Sequence, residues 1–431
     1  MKRNLHLVAA VVAAAQLFAL SAQNVTVYSL EQCKQMALES NADVRTAENN
    51  LRAAIEMHKE AFTKYFPEVS GGFTYFKTNN DILEYTIPDL LTLGVINKGK
   101  AAGIWALQPV FAGGQIVNGN KLAKVGEEVA QIKREQSANS VVLQTEALYW
   151  QLVTLKAEKL TVESAVAMLD SLTRQVDAAV QAGVTTRNDL LKAELQRNSY
   201  RANLVDLDNG ISLLKMLLSQ QIGLGTEASV DVVERVPDSM PDIPYDIFLP
   251  SQNALSLTSD YRLLEKNIDA KELEKRLEVG RNMPQLGIGA GWFYHDLLQQ
   301  NHAFAGVMVT LSVPVSAWWG GSHAIKQKNL ALQNARIELD NLGEKLEIEM
   351  SDKWNNLTAA HRKMEIASEA IAQSKENLRL NSLYYEAGTC TITDLLDAQT
   401  LLSKAQSEYI SAYGAYKLSV AQYLNATGRL Q

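Results

Sequence analysis

Two carboxylates, Asp394 and Asp397, open a helix just after the turn Ala387-Gly388-Thr389-Cys390-Thr391. Side chains three positions apart share a helix face. Several copies of such a pair around one constriction would crowd like charges, raise some carboxyl pKa values and attract cations. The chemistry on offer is electrostatic selection at a neck, with no bond making. Asp394 has a second task open to it: Thr391-x-x-Asp394 resembles a capping box, and the helix dipole favours an acid in the first turn. The six histidines (His6, His58, His295, His302, His323 and His361) are scattered without metal-ligand spacing, and no phosphate loop accompanies them. His295 and His302 flank a hairpin tip where a metal could bind, but read as solvated loop residues. Gly287-x-Gly289-x-Gly291 has Trp292 where a dinucleotide fingerprint needs its third glycine. No catalytic, cofactor-binding or metal-binding residue is assigned. The chain reads as a non-enzyme without a cofactor.

The acids lie in a segment that is written twice. Ala182-Gly183-Val184-Thr185-Thr186-Arg187-Asn188-Asp189-Leu190-Leu191-Lys192-Ala193 returns as Ala387-Gly388-Thr389-Cys390-Thr391-Ile392-Thr393-Asp394-Leu395-Leu396-Asp397-Ala398. The step is about 205 residues, close to half the chain, so one structural unit is repeated. Pro109 and Pro314 keep that step, as do Gly223 and Gly428. Pro67 and Pro284 lie further apart, which gives the first copy about a dozen extra residues between its first two prolines. In this register Asp189 corresponds to Asp394, whereas Asp397 corresponds to Lys192. Gly183 and Gly388 stop a helix in each copy, and Thr186 and Thr391 start the next.

The elements that carry these turns are long. All nine prolines fall in three blocks, and a proline inside a helix costs about 3 kcal/mol. Residues 110–236 and 315–431 are therefore free to form very long helices. Leu148, Leu152, Leu155, Val162, Val166, Leu169, Val176 and Val180 recur at coiled-coil steps. A helix over about 117–181 would run on the order of 95 Å at 1.5 Å per residue, which suggests a rod or a tunnel wall. A shorter helix precedes each hairpin, over about 29–65 and 251–281. Between short and long helices the period changes to two. Leu286, Ile288, Ala290, Trp292 and Tyr294 share one strand face, and Ala303, Ala305, Val307, Val309, Leu311 and Val313 share another. Residues 69–77 and 102–108 are weaker versions. Runs of about 10 residues, apolar on one side and small or polar on the other, suit strands of an outer-membrane barrel.

The compartment agrees with that reading. Lys2 and Arg3 precede an apolar run ending near Leu20, followed by Ser21, Ala22 and Gln23, the layout of a secretory signal over residues 1–23. Two cysteines, Cys33 and Cys390, do not make a disulfide scaffold. The net charge of −7 becomes about −9 without Lys2 and Arg3 and argues against nucleic-acid binding. The organisation expected is residues 24–224 as a first repeat, with a strand hairpin near 68–111 and a helical hairpin near 117–223. A linker at 225–250 and a second repeat at 251–431 follow, the latter with hairpins near 284–314 and 322–427. The fold class is mixed α and β. Four strands per chain are too few for a membrane barrel, which needs about eight, and open edges in lipid leave backbone groups unpaired. Three copies would give twelve strands above a continuous α-helical barrel.

On the duplicated helix–strand–strand–helix order and on Tyr385-Glu386-Ala387-Gly388-Thr389-Cys390-Thr391-Ile392-Thr393-Asp394-Leu395-Leu396-Asp397-Ala398, the chain resembles the TolC-type outer-membrane efflux proteins over nearly its whole mature length. The resemblance implies a homotrimeric channel in outer-membrane lipid that extends into the periplasm of a Gram-negative bacterium. It implies docking to a periplasmic adaptor protein and an inner-membrane pump in a tripartite efflux or type I secretion system. It also implies that Asp394 and Asp397 ring the periplasmic gate, that Tyr385 and Asp189 take part in tip closure, and that residues 226–250 help form an equatorial collar. The family's best-known member has arginine where Cys390 stands here, and a thiol cannot reproduce bidentate bonding. The alternative is a periplasmic coiled-coil adaptor or envelope spacer, which would lack lipid-facing strands.

Overall fold

A computed structural model describes residues 26–80, 82, 84–88, 91–94, 96–226, 230–237, 239–296, 301–315 and 317–430. The signal expected at 1–23 lies outside them. In chain order the elements are β1 (Thr26–Tyr28), α1 (Leu30–Ser40), α2 (Ala42–Thr63), β2 (Glu68–Lys77), β3 (Glu84–Ile87), β4 (Leu91–Gly94), β5 (Lys98–Ala112), α3 (Gln115–Gln181), α4 (Arg187–Gln221), β6 (Val230–Val232), α5 (Ser259–Arg281), β7 (Gln285–Asp296), β8 (Asn301–Ser312), α6 (Ala317–Glu386) and α7 (Ile392–Ala426). They divide into two compact units. No helix among the described residues is long and apolar enough to cross a membrane.

The first unit comprises residues 1–47, 134–259 and 344–431. Its core joins Cys33 and Ala37 of α1 to Val141, Tyr149 and Leu152 of α3, Leu218 of α4, Leu357 and Met364 of α6, and Tyr413 and Tyr423 of α7. β1 pairs in parallel with β6, Thr26 opposite Val230, and the Tyr149 hydroxyl donates to the Tyr28 carbonyl at 3.0 Å. The expected single helix over 29–65 is two helices. Asn41 adopts an extended ψ of 139°, and its side-chain oxygen accepts the Asp43 N–H at 2.8 Å, so it ends one helix and caps the next. The helix expected over 251–281 is interrupted in the same way. A turn at Ser251–Ala254 and a 3₁₀ turn at Leu255–Leu257 end at Thr258, whose ψ is 139°.

Residues 233–250 lie against α6 and α7. Tyr409, Tyr416 and Tyr423 stand seven positions apart on α7. Their hydroxyls donate to the carbonyls of Pro237 at 3.2 Å, Asp242 at 3.0 Å and Leu249 at 3.1 Å. The Leu249 N–H donates back to the Tyr423 hydroxyl at 2.9 Å, and His361 of α6 bonds the Pro241 carbonyl at 2.8 Å. A proline-rich strand with few backbone donors of its own is thereby satisfied from its carbonyl side.

The second unit comprises residues 48–133 and 260–343. Its centre is an antiparallel sheet in the order β2-β5-β7-β8. In this register Phe73, Ile104, Trp292, Ala305 and Val307 share one face with Val309 and Leu311, while Trp105, Gly291, Phe293, Phe304 and Gly306 share the other. Both faces of β8 are exposed along its length. The dozen extra residues of the first copy surround a small hairpin, β3 with β4, in the β2–β5 connection. Pro109 sits inside β5 at a register irregularity next to Phe111, the kind of position that spares proline a ladder bond. Polar contacts tie the helices of this unit together: a hydrogen bond of His58 with Glu127 at 2.6 Å, and ion pairs of Lys266 with Glu128 at 2.7 Å and Lys328 with Glu274 at 2.8 Å. Gly280 and Gly113 touch backbone to backbone, and a Cβ built on Gly280 would sit 2.3 Å from the Gly113 carbonyl oxygen.

Candidate functional site at the repeated helix turns

Both copies of the repeated segment form the same turn in the first unit. α3 ends at Gln181 and α6 at Glu386. Gly183 and Gly388 follow with φ of 72° and 67°. The Gly183 N–H donates to the Val180 carbonyl at 3.0 Å and the Val184 N–H to the Ala179 carbonyl at 2.9 Å. The Gly388 N–H donates to Tyr385 at 3.0 Å and the Thr389 N–H to Tyr384 at 2.8 Å. This paired pattern is a Schellman stop, whose left-handed residue favours glycine. Nothing lies within 4 Å of a Cβ built at either glycine, so backbone conformation alone sets the requirement.

Thr186 and Thr391 then cap α4 and α7. The Asp189 N–H donates to the Thr186 hydroxyl oxygen at 3.3 Å, and the Asp189 carboxylate accepts from the hydroxyls of Thr186 at 2.8 Å and Thr185 at 2.9 Å. Asp394 closes a full capping box. Its N–H donates to Thr391 Oγ1 at 3.3 Å, and its carboxylate accepts from the Thr391 N–H at 2.8 Å and hydroxyl at 2.6 Å. These hydroxyl bonds, Thr186 for Asp189 and Thr391 for Asp394, hold both carboxyls below their ordinary value. Asp397 is exposed one turn further along α7. Among the described residues it makes no hydrogen bond or ion pair.

The same end of the unit brings the two copies side by side. Leu169, Leu172 and Val176 of α3 pack with Ala193 of α4 and with Ile392, Leu395 and Leu396 of α7. Lys192, the repeat partner of Asp397, donates to the Thr393 hydroxyl at 3.0 Å, and Gln196 donates to the Thr400 hydroxyl at 3.0 Å. Tyr385 is half-buried against this cluster. Burial raises its pKa first and the Asp189 charge second, so Tyr385 and Asp189 lie within electrostatic range inside one chain. Cys390 donates to the Asn381 carbonyl at 3.4 Å. Burial, then the Asp394 charge, raises its pKa, which disfavours the reactive thiolate. Cys33 is buried and pushed up to about 12 by burial and then by Glu234. Both cysteines are free.

Sequence reasoning places the acids and the turns but misses the bonds from Lys192 and Gln196 to α7, and it misses the tyrosine bonds to residues 237–249. Heptad spacing of Tyr409, Tyr416 and Tyr423 is a signal for the latter. It shows that three hydroxyls share a stripe, though not what they reach. His295 and His302 are a correction: they are paired strand residues opposite one another in β7 and β8, not loop residues.

Two helical hairpins and two strand hairpins, related by duplication and with an exposed apolar sheet face, form an architecture shared with solved outer-membrane proteins. The sequence pattern of the family described as Outer membrane efflux protein matches residues 34–212. The outer membrane efflux protein BepC of Brucella suis biovar 1 is 24% identical over 404 residues, covering 91% of this chain and 84% of BepC. The outer membrane protein TolC of Escherichia coli K12 is 21% identical over 424 residues, covering 93% and 82%. In fold, the crystal structure of the outer membrane protein VceC from Vibrio cholerae superposes with a TM-score of 0.78 at 14% identity, covering 93% of this chain and 96% of VceC. The outer-membrane channel OprN gives 0.78 at 15% identity, covering 93% and 89%. The chain is similar over most of its length to TolC-type outer-membrane efflux proteins and shares the fold of solved outer-membrane proteins. BepC is described as an efflux protein and OprN as a channel, both of the outer membrane.

Proposed function

We propose that three copies of this chain form a passive exit duct, each copy supplying four strands of a twelve-stranded barrel and one third of a helical tunnel. The observation that carries this reading is the open sheet β2-β5-β7-β8, whose outer strands β2 and β8 have no further partner in the sheet among the described residues. In lipid each unpaired backbone group costs several kcal/mol, so β8 of one copy is best satisfied by β2 of the next. Val69, Phe73, Ile104, Trp292, Val307, Val309 and Leu311 then face hydrocarbon.

The helices of the first unit support the same closure. α4 exposes Leu195 and Leu213, and α6 exposes Ile348, Ile366 and Tyr384. Successive members of each set are eighteen residues apart, about five turns, so each set lies on one straight stripe. α7, in contrast, buries Leu395, Leu396, Tyr409, Ile410, Tyr413, Tyr416 and Tyr423 within the chain. Two apolar stripes on different helices suit a head-to-tail contact that closes into a ring. With the duct assembled, Asp394 and Asp397 stand at its periplasmic end as an acidic gate, Tyr385 and Asp189 contribute to tip closure, and residues 225–250 form the equatorial segment. By likeness to its relatives, the duct receives cargo from a periplasmic adaptor and an inner-membrane pump, in a tripartite efflux or type I secretion assembly.

Mass measurement of the detergent-purified protein tests this reading. A particle of three chains that conducts ions in planar bilayers is expected; a stable, non-conducting monomer rejects it.

A further inference from the structure

We propose that His295 and His302 form a two-imidazole site for a first-row transition-metal dication, with Zn²⁺ as the simplest occupant, at the end of the β7–β8 hairpin remote from α5 and α6. The two residues are direct cross-strand partners. Their ring centroids are 5.5 Å apart, with planes at 40°. Zinc binds imidazole nitrogen at about 2.0–2.1 Å, and two imidazoles on one tetrahedral zinc place their centroids roughly 5 Å apart. The observed centroid separation of 5.5 Å lies within a few tenths of an ångström of that spacing.

The surroundings hold the rings ready. β7 and β8 pair without a register break from Gln285 opposite Ser312 to Asp296 opposite Asn301. The Tyr294 hydroxyl donates to the Asn301 side-chain oxygen at 2.9 Å across the same two strands. Below the histidines on their own face lies an aromatic floor. His295 meets Phe304 edge-on at 6.3 Å, Phe304 stacks on Phe293 at 5.5 Å, and Phe293 stacks on Trp105 at 6.3 Å. Those rings lie over Gly103 and Gly291, where an added Cβ would come within 2.7 Å and 2.8 Å of Phe293. A rigid apolar bed fixes ligand orientation and limits solvent access to one side of a metal.

The histidine chemistry fits as well. The Nδ1 atom of His295 is shielded from solvent and has no hydrogen-bond partner among the described residues. Buried polar atoms rarely stay unsatisfied, and ligation gives this ring a polar bond it lacks. Neutral imidazole suits Zn²⁺, Cu²⁺ and Ni²⁺ in preference to Mg²⁺ or Ca²⁺. Two protein ligands leave the remaining positions to water, so the site exchanges its metal readily.

The histidines share the face opposite Trp292 and Val307, so in the proposed duct they line the pore near its outer mouth. That placement rests on the channel reading; metal binding itself does not.

Titration of ZnCl₂ into the tag-free, detergent-purified full-length protein, followed by calorimetry, tests the site. One zinc per chain is expected, with affinity at least tenfold weaker in His295→Gln and in His302→Gln and unchanged in His323→Gln. Absent uptake by the unaltered protein, or equal uptake by the His295→Gln/His302→Gln double variant, overturns the proposal. An electron paramagnetic resonance spectrum of Cu²⁺ on the unaltered protein gives a readout that needs no variant. Coupling to two imidazole nitrogens supports the pair, and coupling to one or none rejects it. In planar bilayers, zinc should lower the current of the unaltered channel at least tenfold more potently than that of the double variant, which keeps only the block at the acidic gate. Zinc that binds through both histidines but leaves the current unchanged overturns the pore-lining placement and leaves the metal site standing.

Discussion

Asp394 and Asp397 lie one turn apart at the start of α7, and their surroundings give them different work. The Asp394 carboxylate is held by Thr391 through two hydrogen bonds, whereas Asp397 is exposed and has no such bond among the described residues. In the proposed trimeric duct, Asp397→Asn should weaken block by a divalent cation several-fold, since one charge pair at about 4 Å in water is worth roughly 1 kcal/mol. Single-channel recording reads this directly, and unchanged block removes Asp397 from the gate. Thr391→Ala should destabilise the start of α7 by about 1 kcal/mol, the usual loss for a cap, as measured by denaturant unfolding. A pH effect accompanies it. Asp189 and Asp394 have folded pKa values below their ordinary 3.8, so the unfolded chain binds their protons more readily. Their contribution is complete above that ordinary value and is lost as pH falls through the depressed folded values. Protection against hydrogen exchange at the two turns, taken relative to the intrinsic rate at each pH, should therefore fall only below about pH 4; a loss of protection near neutrality contradicts the assignment.

At the scale of elements, the turns and the tyrosine-held segment depend on different physics. Gly388 is needed for its positive φ and not for space, so Gly388→Ala should cost about 1 kcal/mol while leaving the helices intact. Circular dichroism at equal helicity, with a lowered unfolding midpoint, is the expected pair of results. Tyr416 acts by its hydroxyl. Burial first, then Asp242 and Asp246, raises its pKa, which keeps the proton that bonds the Asp242 carbonyl. Tyr416→Phe should cost about 1 kcal/mol by removing that bond and should increase proteolysis within residues 233–250. Unaltered cleavage there means the other tyrosines suffice. Helix identity was legible in the spacing of Leu148, Leu152, Leu155 and Val162, because a period near 3.6 is a local property. The break at Asn41 was not, since asparagine reads equally well as an interior polar residue or as a cap until its side chain is seen to bond Asp43.

For the whole molecule, duplication makes the two copies alike in sequence and unlike in surroundings. α7 buries Tyr409, Tyr413, Tyr416 and Tyr423, while its counterpart α4 leaves Leu195 and Val205 exposed. The asymmetry leaves apolar stripes on α4 and α6 and open edges on β2 and β8. In the proposed duct another copy covers these stripes and edges, and the mass and conductance of the purified particle test that assembly.

The amino-acid sequence by itself determined the duplication, the alternation of long helices with paired strands, and the capped turns that carry Asp189 and Asp394, because each depends on residues near one another in the chain. Only the tertiary structure decided that Lys192 reaches Thr393, that three tyrosines hold the segment between the copies, and that His295 faces His302. Those contacts join residues far apart in sequence or set side-chain directions across strands, and no local period encodes either.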